Sequence, residues 1–124
     1  MSEPKTWGDA QTICRALGGY LAEIKTEDQN LLVEGIMFEH PGRDIWLGGN
    51  DLVSEGKWYW ATSDTEVSSS GFTYWGPNEP SNGGSLTAEN CMEFKEVNRR
   101  WNDVNCEYKL PFICQKPTES IVVG

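Results

Sequence analysis

Carboxylate and amide side chains recur through the C-terminal half of the chain, close to Trp and Pro residues. The side chains with oxygen atoms suited to calcium include Glu79, Glu89, Asn102 and Asp103. Calcium takes about six to eight oxygen ligands from carboxylates, amide carbonyls and water. A solvated surface is the simpler interpretation of any one carboxylate, because the formal net charge is -9. Calcium binding therefore requires a fold that brings these oxygens together.

Catalytic chemistry finds little support in the sequence. His40 is the single histidine, and no serine or cysteine motif typical of a catalytic triad accompanies it, so we expect it on the surface. The pairs Glu93/Glu96 and Asp64/Glu66 resemble glycosidase carboxylates only in residue type, since nothing near them predicts the raised pKa of an acid catalyst. We expect a protein that is not an enzyme.

The four cysteines are best interpreted as two disulfides. Cys14, Cys91, Cys106 and Cys114 show no CxxC or paired-histidine spacing typical of zinc, and three pairings are open. Disulfides indicate an oxidising compartment, so we expect a secreted, extracellular protein whose targeting segment has been removed.

Length and charge restrict the partners. A chain of 124 residues has the usual size of one domain, which we expect to span residues 1–124. The excess of 19 acidic over 10 basic residues repels phosphate groups, which disfavours nucleic acid. No apolar run approaches the roughly 20 residues that span a bilayer, so we expect no membrane insertion.

Two helices are expected in the first third of the chain. Thr6 and Thr26 stand at positions typical of helix N-caps, and each is followed three residues later by a side chain that can complete the cap. Apolar residues then recur at helical spacing. This pattern predicts helices over residues 6–17 and from residue 26 to about residue 40.

Short strands are expected beyond residue 43. Aromatic and β-branched runs predict strands over residues 45–47, 57–60, 91–94, 100–102 and 111–114. Residues 63–87 are predicted to form a long loop, organised by something such as a metal ion. Core positions are expected for Trp46, Trp58, Trp60 and Trp101. Helices followed by antiparallel strands place the fold in the α+β class.

An ordered series of motifs resembles the C-type lectin-like domains over residues 7–116. The motifs are Trp7-x-x-Ala10-x-x-x-Cys14, Gly19-x-Leu21-Ala22, Trp46-Leu47-Gly48-Gly49, Glu55-Gly56-x-Trp58-x-Trp60, Trp75-Gly76-Pro77-Asn78-Glu79-Pro80-Ser81, Glu89-Asn90-Cys91, Trp101-Asn102-Asp103 and Phe112-Ile113-Cys114. Gly49 departs from the Leu of the family. The resemblance implies a C-type lectin fold, with two helices packed on short antiparallel sheets and a long calcium-binding loop. It also implies disulfides Cys14–Cys114 and Cys91–Cys106.

The resemblance further implies a primary calcium site that also binds carbohydrate. Its residues would be Glu79, Ser81, Glu89, Asn102 and Asp103. In the family, two vicinal sugar hydroxyls ligate the ion, donate hydrogen bonds to carboxylates and accept them from amides. A Glu-Pro-Asn triplet implies mannose-type sugars, whereas Gln-Pro-Asp implies galactose. Glu79-Pro80 fits the mannose type, and Ser81 departs from the Asn.

A second, auxiliary calcium site is implied by the same resemblance. Its residues would be Asp51, Glu55, Asn82, Glu89 and Asn90. Asn82 and Asn90 stand where acidic residues would attract the ion more strongly. The sequence leaves open the alternative that this cluster holds no metal.

The expected partners are glycans, and one alternative stays open. Family members on the same fold also bind proteins, ice or mineral, so a protein- or mineral-binding module without sugar binding is the second hypothesis. Family members usually begin with a strand that pairs with the C-terminal strand, here around residues 112–116. We expect that edge to be covered by the β-prone residues 120–123 or by a second copy in a homodimer.

Overall fold

The computed structural model describes residues 3–77, 79–80 and 89–117. In chain order, the elements are α1 (Trp7–Ala16), β1 (Tyr20–Leu21), α2 (Glu27–Glu39), β2 (Ile45–Asn50), β3 (Tyr59–Trp60), β4 (Thr65–Glu66), a 3-10 turn (Val67–Ser70), β5 (Cys91–Phe94), β6 (Trp101–Val104) and β7 (Cys114–Gln115). The α+β class is confirmed. Among these residues, neither helix is both long and apolar enough to cross a membrane.

Both predicted helices begin at the expected threonine caps. Thr6 Oγ1 accepts a hydrogen bond from the backbone N–H of Asp9 at 3.3 Å, and Thr26 Oγ1 accepts one from Gln29 at 3.2 Å. The Gln29 side chain reaches back one residue beyond the cap, where its Oε1 accepts from Lys25 N at 2.7 Å. These bonds satisfy N–H groups that would otherwise lack a partner at a helix start.

A five-stranded antiparallel sheet and a two-stranded sheet lie beside the helices. The larger sheet has the order β4-β3-β2-β5-β6, and the smaller pairs β1 with β7. The prediction of a loop over residues 63–87 is partly wrong, because β4 lies within it and pairs with β3 as a hairpin. Its turn contains Asp64 in the left-handed region, with φ 57°. Two-residue strands are too short to show a periodic pattern.

The last strand is shifted from its predicted position over residues 111–114. Phe112 instead forms a bridge with Trp46, and only Cys114–Gln115 pairs with β1. Near the N-terminus, Lys5 forms an antiparallel bridge with Leu110, through hydrogen bonds of 3.0 and 2.9 Å. Residues 120–123 lie outside the described part of the chain, so their predicted role stays a prediction.

The core consists of two clusters of buried side chains. One contains Ala22, Ile24, Val33, Met37, Ile45, Leu47, Trp58, Trp60, Val67, Met92, Phe94 and Trp101. The other contains Trp7, Ala10, Cys14, Leu21, Trp46, Cys91, Val104 and Phe112. The predicted burial of the four tryptophans is confirmed, and His40 is exposed as expected. Gly49 faces Met92, whose side chain fills the space that a larger residue would need.

Both disulfides have the pairing that the resemblance implied. Cys14 is bonded to Cys114 with a Cα separation of 5.4 Å, and Cys91 to Cys106 with 5.2 Å. The first bond ties α1 to β7. The second joins the start of β5 to the turn after β6, close to the residues expected to bind calcium.

Candidate functional site

Strand β6 is the edge of the large sheet, and a second segment lies along its first residue. Trp101 N donates to Tyr74 O, and Gly76 N donates to Trp101 O, both at 2.9 Å. Trp75 forms a parallel bridge with Trp101, and their rings pack edge to face at 5.8 Å. This attachment fixes the chain just before Glu79, whose N–H donates to Gly76 O at 3.1 Å. The Glu79-Pro80 peptide bond is cis.

Asn102 follows Trp101 on this edge strand and lies opposite Glu93 of β5. Asn102 Nδ2 donates a hydrogen bond of 2.7 Å to Glu93 Oε2. The bond fixes which end of the amide faces Glu93, so Oδ1 is directed elsewhere. Asn102 is half-buried, which leaves part of its side chain accessible from solvent.

Glu93 is a buried carboxyl group whose proximity to Asn102 the sequence did not predict. Burial is the main cause that raises its pKa from 4.5 to about 7. The bond from Asn102 lowers the pKa, and the nearby carboxyl of Asp44 raises it. Asp44 is held in turn by the backbone N–H of Glu96, which donates to its Oδ1 at 2.8 Å. In the sequence, the one indication of a special role for Glu93 is its position within an otherwise apolar strand. Its contact with Asn102 could not be predicted, because that contact depends on strand register.

Asp103 lies opposite Met92 and is fully buried. Its carboxylate also repels that of Asp51, and this repulsion adds to burial in raising the pKa of Asp51. A backbone hydrogen bond from Gly56, 2.9 Å from Asp51 Oδ2, acts in the opposite direction. The carboxylates of Asp51 and Asp103, one from each predicted site, therefore lie near enough to repel each other.

Three side chains of the predicted auxiliary site come together. One terminal atom of the Asn90 amide lies 2.9 Å from Asp51 Oδ1 and 3.3 Å from Glu55 Oε2. With its nitrogen there, Asn90 donates hydrogen bonds to both carboxylates. With its oxygen there, three oxygen atoms face one another, an arrangement that needs a bound cation or a proton on one of the carboxylates. Asp51 N also donates to Asn90 O at 3.1 Å, which ties the two loops together.

The structure describes only some of the other predicted site residues. Glu79 and Glu89 are half-buried, and Glu89 immediately precedes Asn90 at the entrance to β5. Ser81 and Asn82 lie outside the described residues. Within the described residues, no group of three or more His, Cys, Asp or Glu side chains forms a metal cluster. The Asp51, Glu55 and Asn90 arrangement combines two carboxylates with an amide.

Comparison with known proteins extends the resemblance to nearly the whole chain. The Lectin C-type domain family model matches residues 3–116. The chain is 38% identical over 115 residues to C-type lectin domain family 4 member M of Hylobates lar, covering 92% of this chain and 27% of that protein. It thus spans about a quarter of the length of the C-type lectin domain family 4 member M proteins it matches.

Solved structures share the fold. The mouse scavenger receptor C-type lectin carbohydrate-recognition domain has a TM-score of 0.82 and 23% identity, covering 98% of this chain and 88% of that one. A Ca2+-dependent type II antifreeze protein in its Ca2+-free form has a TM-score of 0.75 and 28% identity, covering 90% and 84%. With its helices, its antiparallel sheets, both disulfides and the match over residues 3–116, the chain belongs to the C-type lectin domain family.

Proposed function

We propose that the protein binds carbohydrate through calcium and favours mannose-type sugars, whose hydroxyls ligate the bound ion. The observation that carries the proposal is the attachment of residues 74–76 to Trp101, because it holds the Glu79-Pro80 segment beside the strand of Asn102 and Asp103. The proposed primary ligands are Glu79, Ser81, Glu89, Asn102 and Asp103.

The hydrogen bond between Asn102 and Glu93 suits Asn102 for this role. An amide nitrogen has two hydrogens, so Nδ2 keeps one for a sugar hydroxyl while it donates the other to Glu93. Oδ1 is then the atom that remains to ligate an ion. Carboxylates such as Glu79 would accept hydrogen bonds from the sugar hydroxyls, and bound calcium would be the ion that two vicinal hydroxyl oxygens ligate.

The mannose preference rests on Glu79-Pro80, the first two residues of the triplet that implies mannose in this family. Ser81 replaces the third residue, an Asn. A serine hydroxyl can donate or accept a hydrogen bond, so it keeps a polar contact with a shorter side chain.

We extend the proposal to a second calcium ion at Asp51, Glu55 and Asn90, completed by Glu89 and Asn82. Two ligand atoms that each lie about 2.4 Å from calcium, with an angle of about 72–90° between them at the ion, lie about 2.8–3.4 Å from each other. The separations of 2.9 and 3.3 Å around Asn90 fall within that range. In the absence of the ion, the amide nitrogen of Asn90 would satisfy the same carboxylates.

We also propose that the protein is extracellular and acts by binding rather than catalysis. The two disulfides support an oxidising compartment. Glu93 has the raised pKa expected of an acid catalyst, but its Oε2 is occupied by Asn102 and it is only 4% exposed. A buried carboxyl of this kind fits a structural role.

Retention on immobilised mannose tests the sugar-binding proposal. The protein should be retained in millimolar calcium and released by a chelator, whereas Glu79→Ala should pass through the column. Glu39→Ala, which removes an exposed carboxylate from the end of α2, is the matched control and should be retained. If the parent protein is not retained in calcium, the sugar-binding proposal is wrong.

The second candidate is a calcium-binding domain that recognises protein or mineral without sugar. The net charge of -9 and the Ser81 substitution favour it, because an acidic surface attracts cations of a mineral and the triplet is incomplete. Calcium-dependent thermal stabilisation without retention on mannose, galactose or N-acetylglucosamine columns would support this candidate over the first.

A further inference from the structure

Helix α2 has apolar side chains on a face that the residues described by the structure leave exposed. Val33 and Met37 are buried in the core, yet Leu31 and Phe38 are 55% and 75% exposed. A helix at the surface of a soluble domain usually has one apolar stripe and a polar opposite face. Leu31 and Phe38 therefore form a second apolar surface on the helix, which is a candidate for contact with a partner.

The exposed residues form one continuous stripe. Leu31, Glu34, Gly35 and Phe38 have the i, i+3, i+4, i+7 spacing that places side chains on the same side of a helix. With Arg99 they line a groove of about 300 Å³. Arg99 lies in the turn between β5 and β6, and its guanidinium stacks over the Phe38 ring at 5.4 Å.

No contact in the described part of the chain requires glycine at position 35, the centre of the stripe. A Cβ built at this position meets nothing within 4 Å, and Gly35 is not among the glycines with positive φ. Glycine inside a helix is destabilising relative to alanine. A glycine on an exposed helix face does, however, leave room for another backbone to approach closely.

The charges of the groove match a second copy of the same surface. Glu34 and Arg99 line it together but form no ion pair with each other among the described residues. Glu34 Oε1 accepts from Asn30 at 3.4 Å, and Arg99 lies 3.8 Å from Glu96, so each keeps further hydrogen-bonding capacity. About a two-fold axis, Glu34 of one copy would face Arg99 of the other.

We propose that this surface, defined by Leu31, Glu34, Gly35, Phe38 and Arg99, is the interface of a symmetric homodimer in which α2 packs against α2. A partner with a single sign of charge would match only half of the groove, whereas an identical copy matches both charges at once. The net charge of -9 on each copy opposes association at long range, but salt at physiological strength screens charges beyond about 8 Å.

Sedimentation velocity over a micromolar concentration series tests the proposal with the whole chain. The parent should sediment as a dimer, and Phe38→Asp should shift it to a monomer. Tyr108→Asp, which places the same charge on another exposed aromatic position, is the control and should leave the dimer intact. A parent that stays monomeric throughout the series overturns the proposal, as does a Phe38→Asp variant that remains dimeric.

A charge-reversal pair tests the two-fold arrangement itself. Glu34→Arg and Arg99→Glu should each be monomeric alone, because like charges then meet across the axis. An equimolar mixture of the two should form dimers, since opposite charges face each other again. Recovery in the mixture also shows that both variants are folded. Monomers in the mixture, or dimers of either single variant, contradict the proposed contact between Glu34 and Arg99.

Discussion

The Asn102–Glu93 contact illustrates how one cross-strand pair can couple the protonation of a carboxyl group to a residue proposed to bind calcium. Glu93 accepts a hydrogen bond from Asn102 through Oε2, while its environment favours the neutral carboxyl group. The register of β5 and β6 places Glu93 opposite Asn102, so the environment of Asn102 depends on a residue from another strand.

The raised pKa of Glu93 predicts a pH-dependent contribution to stability. Between its ordinary pKa of 4.5 and the folded value of about 7, the folded state binds more protons than the unfolded state. The stability from protonated Glu93 is thus complete below about pH 4.5 and is lost as pH rises through 7. Glu93→Gln, which stays neutral, should raise the free energy of unfolding at pH 8 by up to about 3 kcal/mol.

Urea denaturation in the presence of a chelator, at about pH 5 and about pH 8, measures this effect. The gain from Glu93→Gln should be large at the higher pH and small at the lower. The exposed carboxylate variant Glu107→Gln serves as the control, with no comparable pH-dependent gain. Equal effects of Glu93→Gln at both pH values would show that Glu93 titrates near its ordinary pKa in the folded protein.

At the scale of elements, local signals were sufficient for both helices and for the strands β2, β3, β5 and β6, but not for the two-residue strands β1 and β4. Thr6 and Thr26 predicted both helix starts, because a cap depends on residues only three positions apart. The hairpin of β3 and β4 was missed, since its pairing is too short to leave a pattern. In the candidate site, the motifs predict which residue types would act as ligands. The hydrogen bond between Asn102 and Glu93 could not be predicted, because it depends on the register of β5 and β6.

Helix α2 is joined to the sheet by a buried hydrogen bond that can be tested directly. Trp101 Nε1 donates to Asn30 Oδ1 at 3.1 Å, and Asn30 is 2% exposed. Asn30→Ala should lower the free energy of unfolding by about 1–3 kcal/mol, because the indole N–H is left buried without a partner. Leu32→Ala, at an exposed position of the same helix, should cost much less in the same denaturation experiment.

At the scale of the molecule, calcium should act as a stabilising ligand that relieves repulsion between carboxylates. Asp51 and Asp103 repel each other in the ion-free protein. Calcium that binds only the folded state should raise the melting temperature, with about 2.7 kcal/mol of stabilisation at 100-fold excess over Kd. The rise should shrink at acidic pH, where protons compete with the ion for these carboxylates.

The variant Asp51→Asn distinguishes stabilisation by calcium bound at this cluster from a general effect of ionic strength. Asparagine keeps an oxygen for the Gly56 N–H but removes the charge, so the calcium-induced rise in melting temperature should fall. Asp28→Asn, at the exposed start of α2, should respond to calcium like the parent. A melting temperature unaffected by millimolar calcium would exclude a metal role for this cluster.

The Cys14–Cys114 bond also determines how the domain bears mechanical tension. When the chain is pulled at residues 3 and 117, residues 14–114 cannot lengthen it while this bond is intact. Only residues 3–13 and 115–117 can be drawn out, to about 50 Å, whereas the same stretch without the bond would reach about 400 Å. The load falls first on the Lys5–Leu110 bridge and on the 2.7 Å hydrogen bond from Trp46 Nε1 to Lys5 O. The strand that carries Asn102 and Asp103 lies within the closed loop, where it is shielded from the force.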